Sequence, residues 1–73
     1  MEFTIKLIWD NEACRWYSDS DDKLNLVLES NSFDALVERL RVAAPEMAEL
    51  NYGYKGDIKL KFEVERTEFV KAS

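Results

Sequence analysis

Few side chains in this sequence could do chemistry, and two absences narrow the field further. There is no histidine and one cysteine, Cys14, so the commonest general base and a principal zinc ligand are missing. With no histidine to activate it, Cys14 reads as a small inward-facing hydrophobe on a strand rather than a nucleophile. Asp19, Asp21 and Asp22 have the crowding of a calcium loop. An EF-hand counted from Asp19 needs glycine at its sixth position and glutamate at its twelfth, and the sequence has Leu24 and Ser30 there. A solvated acidic loop is expected, with no metal and no cofactor.

Asp10, Glu29 and Asp57 are the carboxylates a two-metal nuclease would recruit. Such a site gathers its ligands around ions about 3.5–4 Å apart. Asp10 closes a first strand and Glu29 a third, which parts them by roughly 9–10 Å, and Asp57 opens a fourth strand at the other end of the sheet. No catalytic site is expected from them. Trp9, Trp16 and Tyr17 are candidate stacking residues for single-stranded nucleic acid. The two tryptophans fall on the apolar phase of their strands, where core packing explains them. Tyr17 falls on the opposite phase with Lys6, Arg15, Lys59 and Lys61, a weak nucleic-acid footprint.

The whole composition opposes that footprint. The chain has 73 residues, 15 acidic against 10 basic, and a formal net charge of −5. Affinity for phosphate backbones comes largely from lysine and arginine releasing counterions, so a basic protein is the more natural partner. The length suits one domain, residues 1–73, with a small core. Lys6 and Asp10 interrupt the first apolar stretch, so neither a signal peptide nor a membrane span is expected and the default location is cytoplasmic.

The elements that must position these residues follow from periodicity. Phe3, Ile5, Leu7 and Trp9 alternate with polar residues, the mark of a strand with one buried face. Cys14 to Ser18 reads as its hairpin partner, with Asn11 and Glu12 as the loop, Trp9 facing Cys14 and Leu7 facing Trp16. Leu24, Leu26 and Leu28 give a third strand. Ser30, Asn31 and Ser32 offer helix caps, Asn31 with Asp34 resembling a capping box. Phe33, Leu36, Val37, Leu40 and Ala44 then keep helical spacing. Arg39 and Arg41 are placed late in the helix, which is expected to end near Ala44, because proline disfavours helical geometry in the residue before it. A short turn from Pro45 follows, with Met47 and Leu50 pointing inward. Ile58, Leu60, Phe62 and Val64 form the fourth strand, which either ends near Arg66 or bulges and continues toward Val70; the pattern leaves both open.

The expected fold is therefore α+β, in the order β-β-β-α-β: one four-stranded, mostly antiparallel sheet with one helix on one face. The crossover through the helix is expected to be right-handed and to set the fourth strand parallel to its neighbour. The other sheet face stays uncovered. It carries Ile8, Tyr17 and Val27, a candidate surface for homodimerisation, because small domains often gain stability by oligomerising.

Trp9-Asp10-Asn11-Glu12-Ala13, Trp16, the Ser18-Asp19-Ser20-Asp21-Asp22 stretch, Leu26, Glu29, Leu36 and Pro45-Glu46 leading to Leu50-Asn51 together resemble the short, uncharacterised branch of the HicB-like antitoxin superfamily. The resemblance spans most of the chain and rests on order and spacing, not on a catalytic motif. It implies a truncated ribonuclease H-like domain without catalytic carboxylates, and a partner of the HicA kind, a small basic ribonuclease. Two departures matter. Nothing after the fourth strand matches the DNA-binding domain that many HicB proteins add, so autonomous promoter binding is not expected. In addition, Asp22-Lys23-Leu24-Asn25-Leu26 stands where many members carry a proline-glycine element. The functional expectation is a non-catalytic, antitoxin-like binding module whose Asp19, Asp21, Asp22, Glu46 and Glu49 meet the basic toxin. The alternative is a stand-alone homo-oligomeric structural or regulatory module.

Overall fold

The structure, a computed structural model, describes residues 1–20 and 24–72. Its elements run β1 (Glu2–Asp10), β2 (Arg15–Ser20), β3 (Glu29–Ser30), α1 (Phe33–Tyr52) and β4 (Lys59–Glu65). They form a mixed four-stranded sheet in the spatial order β3-β2-β1-β4, antiparallel at β1/β2 and β2/β3 and parallel at β1/β4. This is the α+β fold and element order expected from the sequence.

The hairpin is longer in its turn than expected. Trp9 faces Trp16 and Leu7 faces Ser18, a slip of two residues from the expected pairing. Because side chains alternate with period two, an even slip keeps every residue on its face. Cys14 leaves the strand altogether: it is exposed, at φ 53°, and ends a four-residue turn. Asp10 secures that turn by accepting from the N–H groups of Glu12 at 3.0 Å and Ala13 at 3.2 Å.

The expected third strand is reduced to Glu29–Ser30. Leu24 and Leu26 are buried as the alternation requires, but Asn25 adopts φ 51° and breaks the extended run. Two serines of β2 replace much of the missing ladder. The Ser18 Oγ accepts from the Leu28 N–H at 2.8 Å and the Ser20 Oγ from the Leu26 N–H at 2.6 Å, while the Ser18 N–H donates to the Leu28 carbonyl at 2.8 Å. Ser18 is fully buried. Ser18→Ala therefore leaves the Leu28 N–H without its acceptor and is expected to cost about 1–3 kcal/mol. The check is urea unfolding, with the midpoint falling and the slope unchanged.

The helix starts where Ser32, extended at φ −116°, accepts from the Ala35 N–H at 3.3 Å. Asn31 and Asp34 do not supply the cap that accepts this bond. The helix does not end at Ala44: it runs through Pro45 to Tyr52 and closes on Gly53, at φ 66°, whose N–H bonds the Glu49 carbonyl at 2.7 Å. Left-handed backbone of this kind is where glycine carries no Cβ penalty. With the helix extended, Arg39 and Arg41 sit in its middle rather than its last turn, and Arg39 donates to the Glu29 carbonyl at 2.9 Å.

The core lies between one sheet face and one helix stripe. Phe3, Ile5 and Leu7 of β1 and Leu36, Leu40, Ala44 and Ala48 of α1 are buried, and the i, i+4 recurrence draws the helical four into a single line. α1 packs against β2 and β3. The inner face of β4 is less covered: Leu60 and Phe62 are half-buried and Val64 is 57% exposed. β4 ends at Glu65, and Phe69 and Val70 beyond it are exposed.

Candidate functional site

At the hairpin end of the sheet the directly opposed Trp9 and Trp16 meet edge to face, ring centroids 5.4 Å apart, and Trp16 meets Phe33 of α1 the same way at 5.0 Å. The Arg66 guanidinium lies 4.4 Å from the Trp9 ring centroid and 5.6 Å from that of Trp16, and it donates to Glu68 at 3.0 and 2.7 Å. The Trp9 indole N–H donates to Asn11 Oδ1 at 2.7 Å, and the Asn11 amide donates to the Thr67 carbonyl at 3.1 Å. The hairpin end and residues 66–68 are thereby tied into one unit. Trp9 and Trp16 are occupied by each other, by Phe33 and by Arg66, which is a structural arrangement. Arg66 did not figure as a site residue in the sequence reading. The signal was present, since it continues the inward phase of Ile58, Leu60, Phe62 and Val64.

On the open face Ile8 and Tyr17 are direct partners, both half-buried, flanked by Glu65 on β4 and Glu29 on β3. Val27 is exposed, in the segment before β3. The four cations expected nearby do not form a basic surface, because each is set against a carboxylate. Lys6 stands between Asp19 and Glu63, and Lys59 is registered on Glu2. Arg15 reaches Glu29 at 3.9 Å, and Lys61 reaches Glu63 at 3.8 Å.

The expected acidic surface is divided. Asp19 is on the open sheet face beside Lys6, whereas Glu46 and Glu49 are on the exposed side of α1, in the opposite layer. Asp21 and Asp22 lie outside the described residues. Glu46 borders a groove of about 470 Å³ beside α1, lined also by Leu28, Glu38, Arg39, Val42 and Ala43. Arg41 pairs with Glu38 at 2.6 Å and Lys55 with Glu49 at 3.7 Å. Glu46 has no ion pair among the described residues.

The nuclease carboxylates stay apart. Asp10 holds the hairpin turn, Glu29 faces Arg15, and Asp57 precedes β4 at the end where Lys59 meets Glu2. Among the described residues no three His, Cys, Asp or Glu side chains converge as metal ligands would, and no helix is long and apolar enough to cross a membrane.

Among the described residues these features define a small two-layer α+β domain with one uncovered sheet face, an apolar groove along its helix and an uncovered edge strand. The chain belongs to the DUF1902 family, a domain of unknown function, whose pattern it matches over residues 2–72. It is also similar to the crystal structure of a hypothetical protein, TTHA1013, from the extremely thermophilic bacterium Thermus thermophilus. That likeness has a TM-score of 0.76 at 28% identity and covers 96% of this chain and 100% of the other. No curated protein matches.

Proposed function

We propose that this chain is a non-catalytic, antitoxin-like binding module that neutralises a small basic ribonuclease of the HicA kind. The observation that supports the reading is the helix groove. Leu28, Val42 and Ala43 give it an apolar floor, and Val42 is 63% exposed with no cover from the described residues. Glu38 and Glu46 border it together with Arg39, and the net charge of −5 biases the whole molecule toward a cationic partner. Apolar contact would supply affinity, while the charges would set association rate and partner choice.

The test asks first whether a small basic protein is encoded beside this chain's gene and then purifies that protein. Its RNA cleavage is expected to stop when the chain is added in slight molar excess. Undiminished cleavage together with no complex on size-exclusion chromatography would overturn the reading. Where a complex forms, reversing charge with Glu46→Lys and Glu49→Lys is expected to slow association about tenfold at low salt and to change dissociation little. Stopped-flow binding across a salt series reads both rates.

A further inference from the structure

β4 is an edge strand with the sequence Lys-Leu-Lys-Phe-Glu-Val-Glu. Its charges have a sense of direction: two cations, then two anions, all on the open face. We propose that β4 pairs antiparallel with β4 of a second copy about a two-fold axis through Phe62, joining two four-stranded sheets into one.

Charge complementarity identifies the occupant. In that register Lys59 stands opposite Glu65 and Lys61 opposite Glu63 of the second copy, and the two-fold repeats both pairs. On the inner face Phe62 meets Phe62 and Leu60 meets Val64, so the apolar stripe that α1 leaves open is continued by its own copy. Opposite charges directly across an antiparallel pair are favourable and like charges are not. A slip of two residues in one direction sets Lys61 against Lys61, and in the other Glu63 against Glu63. Parallel, in-register pairing sets every charge against its like. Lysine on an edge ordinarily keeps strands from joining; here the glutamates at the mirrored positions lift that repulsion in one arrangement only. Such self-complementarity is what an isologous interface requires.

The backbone fits the same geometry. The Lys59 N–H donates inward to the Met1 carbonyl at 2.9 Å. Because amide directions alternate along a strand, the N–H and C=O groups of Leu60, Phe62 and Val64 point to the free edge. Phe62 with Phe62, and Leu60 with Val64, are then the hydrogen-bonded pairs of the new ladder. This seam differs from the Ile8, Tyr17 and Val27 face suggested by the sequence, and it does not depend on the antitoxin reading.

Charge reversal and rescue test it. The intact chain is expected to sediment as a dimer. Glu63→Lys with Glu65→Lys makes one all-lysine variant and Lys59→Glu with Lys61→Glu one all-glutamate variant; each alone is expected to dimerise at least about tenfold more weakly. Mixing them is expected to restore a heterodimer. Circular dichroism checks that both are folded. Amide exchange on the unmodified chain is a second measurement, with Leu60, Phe62 and Val64 becoming more protected as concentration rises. A monomer at millimolar concentration, a dimer indifferent to both reversals, variants that do not combine, or edge amides whose exchange ignores concentration would each overturn the proposal.

Discussion

Trp16→Ala is expected to remove about 3–5 kcal/mol of stability, the cost of deleting a large aromatic from a core. At roughly 0.05–0.15 kcal/mol per residue, a domain of this size has only about 4–11 kcal/mol in all, so the variant loses much of its margin. The position explains the size of the effect. Trp16 is 8% exposed and touches Trp9 across the hairpin, Phe33 on the first turn of α1 and the Arg66 guanidinium. It therefore joins the sheet to the helix and both to the segment after β4. Trp9→Ala should cost distinctly less, because Trp9 is only half-buried and lacks the contact with Phe33. Urea unfolding followed by far-ultraviolet circular dichroism gives both values. Equal losses for the two tryptophans would show that Trp16 is not the hub.

Periodicity reported faces faithfully and pairing less so. The hairpin slipped by two residues without any inner residue of β1 changing sides, because only an odd slip exchanges faces. Cys14 departs from its expected strand position for a physical reason: positive φ is marked in sequence mainly by glycine or asparagine, and a cysteine gives no such sign. Leu24 and Leu26 are in the core, as their alternation requires, yet alternation does not say whether a backbone ladder forms. The hydroxyls of Ser18 and Ser20 and the left-handed Asn25 decided that it forms only at Glu29–Ser30.

The candidate site was less legible than the fold, since a surface depends on which layer each element joins. Asp19 and Glu46 read alike as exposed acids, but one lies on the bare sheet face and the other on the helix in the opposite layer. Lys6, Arg15, Lys59 and Lys61 share a face, as read, and only strand register reveals the carboxylates set between them. The directional charge order of β4 was plain in the sequence. It gained meaning once β4 proved to be an edge.

Leu40→Ala and Leu50→Ala make the same chemical deletion at two positions of one helix, and their effects are expected to differ severalfold. Leu40 is fully buried against the sheet, so its loss removes apolar burial and leaves a cavity, at about 2–5 kcal/mol. Leu50 is 77% exposed and should change stability by no more than about 0.5 kcal/mol. The contrast tests the course of α1 through Pro45. A helix ending at Ala44, with a separate turn after it, would allow Leu50 to turn inward. A continuous helix instead keeps Leu36, Leu40, Ala44 and Ala48 on one line and carries Leu50 to the water side. Proline inside a helix removes one hydrogen bond and costs about 3 kcal/mol. Continuity past it is supported by the burial of Ala48, the partial burial of Met47 and the Gly53 cap. A large loss from Leu50→Ala would show that the helix breaks at Pro45, while a small loss beside a large one at Leu40 is the result a single helix requires.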